Sequence, residues 1–494
     1  MIFLSGNTLA ASQRTSHFDK IAMPVLSDLP NEVFDLILQQ THPGDLEAFL
    51  QISKTLRQNL EWLLREHYKL KRNYSTFTYH NNTPRGAPAR ILKTILNQPR
   101  IAEYVLKMDV EGWETEFEES TSPLEYTIED SEMFSKAVKA SKYVFPWTLE
   151  WLLCKMQNGD EEHILILLLT LLPNLEHVRL VNEFHIDLGL TMDLMSCDDP
   201  IQCLTRLESL HLEAHEVELP GNVDYPVMLP HFGNLPSMKT LSVHNASTGK
   251  YGYDEQERRK FYPLCLTVAI THLTLSKCSI YSTVLCGFLA RCTSLESFEY
   301  WPDVFLLESE LETFDPAGIV KALQKQCTNT LRNLTILPKT QPAVCMGSLQ
   351  LFHKLEELTT DLSLLIGKLV IIDHNAFSTA SPHSLIGLSP FAHERLLSDT
   401  LPPRLVQLSL HCAEQSRHGD PEMKRQERQI GLLLRAKKDN NEFHDLERIT
   451  IEWVDGSMSL DVATMQATSN SVLGWSFLVL GPGGQWIHPA ICDA

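Results

Sequence analysis

The sequence predicts an α/β protein in which a small helical module precedes a long solenoid of parallel strands and helices. Three observations carry that reading. A six-residue pattern, h-x-x-h-x-h with h apolar, recurs along most of the chain. Its early copies start at Leu175, Leu207, Met238 and Ile270, 31 or 32 residues apart, and stretches with helical spacing lie between copies. Ahead of the first copy, residues 29–64 carry three short amphipathic segments. A unit of about 40 residues cannot enclose that much apolar surface unaided, so a partner is implied.

The pattern runs from Val105/Met108/Val110 and Leu175/Val178/Leu180 to Leu405/Leu408/Leu410 and Leu446/Ile449/Ile451. Leu355/Leu358 is a weaker copy, with Thr360 in the third place. Later spacings vary, which implies insertions in loops. Helices are expected over Ser131–Tyr143, Asp160–Leu172 and Tyr281–Arg291; the second restarts after Asn158-Gly159 and has its apolar face on Ile164, Leu167, Leu168 and Leu171. One strand-plus-helix unit cannot bury its own apolar face, and stacking about ten makes one continuous core. Alternation along each strand sends the x residues to the opposite, concave face. A concave parallel sheet lined by mixed polar groups is a natural protein-binding surface. The candidates on it are His177, Arg179, His211, His272 and Glu299, because stacking sets neighbouring repeats side by side.

Bulk numbers exclude several functions. A net charge of −20 disfavours binding to phosphate backbones and to anionic membranes, so neither nucleic acid nor a membrane is an expected partner. No apolar run approaches the roughly 18 residues of a membrane span. The start, with no basic stretch, is a poor secretory signal, and residues 1–24 read as a disordered polar leader. Eleven cysteines without a C-x-x-C pair read as buried free thiols in a reducing compartment, the cytoplasm or nucleus. No zinc-site spacing, nucleophile elbow, dinucleotide fingerprint or kinase motif set is found, so no metal, cofactor or catalytic residue is expected.

The front module begins with a cap at Ser27 or Asp28, Pro30 in the first helical turn and Glu32 facing the dipole. Val33 and Ile37 share a face with Leu29. A break at His42-Pro43-Gly44 leads to a second helix capped by Asp45, with Leu46, Phe49 and Leu50. A third helix opens at Ser53 and carries Leu56, Leu60, Leu63 and Leu64. With Leu29-Pro30, Glu32, Ile37-Leu38, Asp45-Leu46, Ser53-Lys54 and Arg57 in place, the segment resembles the F-box. The phrases at 172–180 and 401–410, and the run from Ile91 to Arg100, resemble the repeat starts of fungal F-box proteins with degenerate leucine-rich repeats.

The resemblance implies a non-catalytic substrate-recognition subunit of an SCF-type (Skp-cullin-F-box) ubiquitin ligase. The F-box would dock a Skp-family adaptor, and through it a cullin, by apolar contacts from Leu29, Pro30, Val33, Ile37, Leu46 and Leu50. The solenoid would hold a target protein near a charged ubiquitin carrier. The alternative is a leucine-rich-repeat scaffold independent of ubiquitination. The expected organisation is leader 1–24, F-box 25–72, solenoid 73–455, and a terminal cap or poorly ordered tail over 456–494. Trp113 is expected in a solvated loop, Trp301 as a contact anchor or, by preference, a core filler, Arg417–Gln429 as an exposed insertion or helix, and 361–400 as an insertion beside the solenoid.

Overall fold

The computed structural model describes residues 30, 33, 36, 37, 41, 43–51, 58, 61–80, 83, 86–113, 127–140, 149–157, 160–182, 204–214, 233, 235–245, 267–302, 314–338, 344–367, 396–412, 421–440, 443–453 and 476–480. The chain divides into two compact units, 1–72 and 73–494.

In the first unit the backbone is helical at Val33, Leu36 and Ile37, and the Thr41 hydroxyl donates to the Ile37 carbonyl at 2.8 Å. Helix α1 spans Pro43–Gln51 and α2 spans Glu61–Tyr74. The expected break at 42–44 is thus shorter than the sequence implied. Pro43 and Gly44 open α1, and Asp45 lies inside its first turn instead of capping it. Proline is tolerated there because a first-turn N–H has no intrahelical partner. Leu46, Leu63 and Leu64 are buried, as is His67, whose Nε2 lies 3.1 Å from Glu47 Oε1. Lys71 Nζ donates to the same oxygen at 2.7 Å, so polar contacts join α1 and α2. The start of the third expected helix, 52–57, lies outside the described residues.

The second unit is an α/β, solenoid-like stack. Its elements, in chain order, begin with β1 (Thr76–Tyr79), α3 (Ala87–Asn97), β2 (Lys107–Glu111), α4 (Ile128–Ala140), α5 (Leu149–Gln157), α6 (Glu161–Leu171), β3 (His177–Asn182), β4 (Ser209–Ala214), β5 (Thr240–His244) and β6 (His272–Cys278). They continue with α7 (Ser282–Leu289), β7 (Ser297–Pro302), α8 (Pro316–Gln326), β8 (Asn333–Ile336), β9 (Glu357–Asp361), α9 (Leu362–Ile366), β10 (Gln407–Cys412), α10 (Pro421–Asn440), β11 (Arg448–Trp453) and β12 (Ser476–Leu480). Among the described residues, the twelve strands form one sheet in sequence order, every neighbouring pair parallel.

Register follows the apolar pattern. Met108, Val178, Leu210, Leu241, Leu273, Phe298, Leu334, Leu358, Leu408 and Ile449 form one row across the sheet, and each is at most 3% exposed. A one-residue slip would turn such a row from core to solvent, so the buried face holds the register. Thr360 occupies the third place of β9 at 0% exposure, and its hydroxyl donates to the Ile336 carbonyl at 3.1 Å. That bond offsets the cost of a polar atom in an apolar row.

A second ladder precedes the strands. Glu176 and His177 both donate their N–H groups to the Leu106 carbonyl, Glu208 and Ser209 to Glu176, Lys239 and Thr240 to Glu208, and Thr271 and His272 to Lys239. The pattern continues through Glu296, Arg332 and Glu356 to Val406. Each unit's entry carbonyl thus takes two donors from the next unit, which satisfies the backbone where the chain turns into the sheet.

Helices cover the buried face in neighbouring pairs: α3 packs on α6, α4 on α5, α5 on α6 and α7 on α8. The expected helices over Asp160–Leu172 and Tyr281–Arg291 lie within one or two residues of α6 and α7, and Asp160 caps α6 by accepting from the Glu162 N–H.

Four expectations are corrected. Trp113 is 1% exposed and belongs to the core, not to a solvated loop. Trp301 is 42% exposed and is no core filler. The charge-dense segment after residue 417 is a helix, one of its two expected forms, but it is not exposed: Gln426, Glu427, Gln429, Ile430 and Leu433 of α10 are buried. Arg425 on α10 donates to the carbonyls of Ile366 and Gly367, and Gln429 Oε1 accepts from the Leu397 N–H. Finally, 361–366 is not an insertion: Asp361 ends β9 and caps the fully packed α9. Residues 368–395 lie outside the described residues. In the tail, β12 extends the sheet.

Candidate protein-binding face

Alternation within each strand leaves three ranks of side chains on the sheet face opposite the helices. The first rank runs Lys107, His177, Ser209, Thr240, His272, Ser297. The second runs Asp109, Arg179, His211, Ser242, Thr274, Glu299. The third includes Glu213, His244, Ser276 and Trp301.

The five candidates on this face fall into two groups. His177, Arg179 and His211 meet on β3 and β4, where Arg179 and His211 are register partners. His272 and Glu299 are diagonal neighbours on β6 and β7. Strand β5 separates the groups. Arg179 is already engaged, with Nη1 2.9 Å from Asp109 Oδ1 and 3.2 Å from Glu111 Oε2. Exposed charge pairs contribute little to stability. Here they remove Arg179 as a free cation.

The pattern search missed the third rank, where much of the electrostatics sits. His211 Nε2 lies 3.2 Å from Glu213 Oε2, and the His211 ring centroid is 4.9 Å from that of His244. Ser242 Oγ lies 3.1 Å from His244 Nε2. Farther along, His411 Nδ1 lies 3.1 Å from Glu452 Oε2 across β10 and β11. The signal for these residues was present: the strand pattern needed only to be extended by one further x position.

Burial, with the adjacent His211 and the cation of Lys277, holds His244 below the ordinary 6.5, against the pull of Glu213. The folded state therefore favours neutral His244, and an unfolded chain takes up the proton more readily. This contribution to stability is present above about pH 6.5 and is lost as pH falls through the lower folded-state value. Thermal melts from pH 7.5 down to 5 should show a falling Tm, with a shallower fall in His244→Gln. An unchanged slope in that variant would refute the assignment.

Ser242 and His244 lie within hydrogen-bond distance of each other, and Glu213, which bonds His211, also bears electrostatically on His244. Among the described residues, no group of three His, Cys, Asp or Glu is placed to hold a metal ion. This face presents, among the described residues, charges, imidazoles and the Trp301 indole.

The six residues expected to contact an adaptor lie in the first unit. Val33 and Ile37 are 42% and 37% exposed, with Leu36 between them at 58%. Pro30 is exposed, and its carbonyl accepts from the Val33 N–H. Leu46 is fully buried and serves the unit's own core. Leu29 lies outside the described residues, and Leu50 lies in α1. Trp62 and Tyr68 on α2 are 53% and 52% exposed, further large apolar groups that the sequence reading did not single out. No protein-family model matches the chain, and no curated protein is significantly similar to it.

Proposed function

We propose that the chain is a non-catalytic substrate receptor of an SCF-type ubiquitin ligase. Its first unit acts as an F-box that docks a Skp-family adaptor and, through it, a cullin. Its second unit acts as a degenerate leucine-rich-repeat solenoid that holds a target protein on its open sheet face. The observation that carries this reading is the exposed aliphatic cluster of Val33, Leu36 and Ile37, on the segment whose motif residues resemble the F-box. Exposed aliphatic side chains at successive helical positions cost free energy in water and gain it when a partner covers them. The long parallel sheet with three polar ranks supports the second half of the reading. On this reading the protein works in the cytoplasm or nucleus, ubiquitin transfer is performed by other subunits, and this chain supplies proximity.

The test is co-purification with a Skp-family adaptor, using the full chain and two double variants. Leu29→Ala/Pro30→Ala removes the motif's opening. Val33→Asp/Ile37→Asp puts charge into the exposed cluster while leaving the buried core intact. A stoichiometric complex is expected, weakened at least about a hundredfold by the aspartate pair, since two buried anchors commonly carry several kcal/mol. Circular dichroism should be unchanged. No complex from a folded wild-type chain would leave the alternative, a repeat scaffold independent of ubiquitination.

A further inference from the structure

We infer that the open face around β7 takes a basic segment of a partner protein, seating a lysine or arginine across Trp301 and Glu299. The inference rests on reading the open face as the target-binding surface and adds the chemistry of what it binds.

Trp301 is the starting point. It stands on the polar face of the sheet at 42% exposure, although its register partner on β6 is Ser276. Glu299 lies two residues earlier on the same face, roughly 7 Å away along the strand. Its register partners are Thr274 and Thr335, and the Thr274 hydroxyl is 3.4 Å from Glu299 Oε2. Short side chains thus flank an accessible indole and a carboxylate. This pairing fits a long cationic side chain, whose stem lies on the ring while its head reaches the carboxylate.

Charge complementarity selects the occupant. In the three ranks from β4 to β9, the described positions hold Glu213, Glu299, Glu357 and the buried helix cap Asp361 but no lysine or arginine. Lys277, on the bulge that ends β6, is outside these ranks but near enough to act on His244, two strands from Trp301. Arg179, on β3, is held by Asp109 and Glu111. The whole chain carries −20. An acidic segment would meet repulsion here, and a neutral one would leave Glu299 without a counter-charge.

The experiment is fluorescence anisotropy with the full chain and three labelled Gly/Ser peptides of equal length, one bearing lysine and arginine, one glutamate and one neither. At near-physiological salt the basic peptide should bind and the others should not. Trp301→Ala should weaken it about tenfold, in keeping with a desolvated cation–π contact. Glu299→Lys should abolish it and admit the acidic peptide. Glu61→Gln, in the first unit, should change nothing. Equal binding of all three peptides would overturn the inference. So would equal loss in Glu61→Gln and Trp301→Ala, which would mean attraction to net charge alone. If Trp301→Ala misfolds, Glu299→Lys decides. Adaptor capture is scored separately. A chain that binds the adaptor but not the basic peptide refutes only this inference, and the reverse outcome refutes only the receptor reading.

Discussion

Phe298→Ala is expected to destabilise the second unit by about 3–5 kcal/mol, the usual cost of emptying a fully buried aromatic site. Phe298 is 0% exposed at the middle of the sheet, with Leu273 and Leu334 as register partners. Its ring stacks on that of Tyr300 with centroids 6.3 Å apart. Tyr300 is itself 1% exposed, and burial holds its hydroxyl far above the ordinary range, so it stays neutral. The lost contacts therefore fall on a fully buried layer. Phe298→Leu, which keeps most of the volume, should cost less than half as much. Urea denaturation measures both variants, and an alanine penalty below about 1 kcal/mol would show that the layer collapses freely around the gap.

The second large effect is expected at Glu161. This carboxylate is fully buried in the first turn of α6. Oε2 accepts from the Tyr79 hydroxyl at 2.8 Å, and Oε1 accepts from the Gly86 N–H at 2.9 Å. One side chain thereby joins β1, the turn before α3 and the start of α6. Glu161→Ala should cost roughly 2–4 kcal/mol, because each buried donor deprived of its acceptor costs about 1–3 kcal/mol. Glu161→Gln retains an acceptor for one donor and presents an amide N–H to the other, so it should fall between alanine and wild type. Equal stability of all three chains would refute the bridging role.

Much of the sheet was legible because two periods coincide: alternation along each strand and the 31- or 32-residue step between early units. Together they specify which side chains are buried and which strand lies beside which. The misses have physical causes. For β1, the pattern residues are Tyr74, Phe77 and Tyr79, and Tyr74 is the last residue of α2, so helical periodicity hid the strand. For β12, Gly474 stands where the leading apolar residue belongs. Trp301 was read by hydrophobicity, whereas its place after Ser297 and Glu299 puts it on the open face. Glu161 was legible only as an acidic residue suited to a helix start; its partners lie 75 and 82 residues away in sequence. The exposed cluster at Val33 and Ile37 was readable from helical spacing, but the burial of Leu46 was not separable from partner contact by pattern alone.

The doubled entry carbonyls have a consequence for synthesis. Each carbonyl receives its donors from the unit that follows it, and each strand pairs with its sequence neighbours. A nascent chain thus never waits for a distant C-terminal strand before its next pairing can form. Translation adds roughly 5–20 residues per second and domains tend to fold from the amino terminus, so a unit of about 32 residues emerges every few seconds onto a sheet edge already in register. The growing edge acts as the template for the segment that leaves the ribosome next.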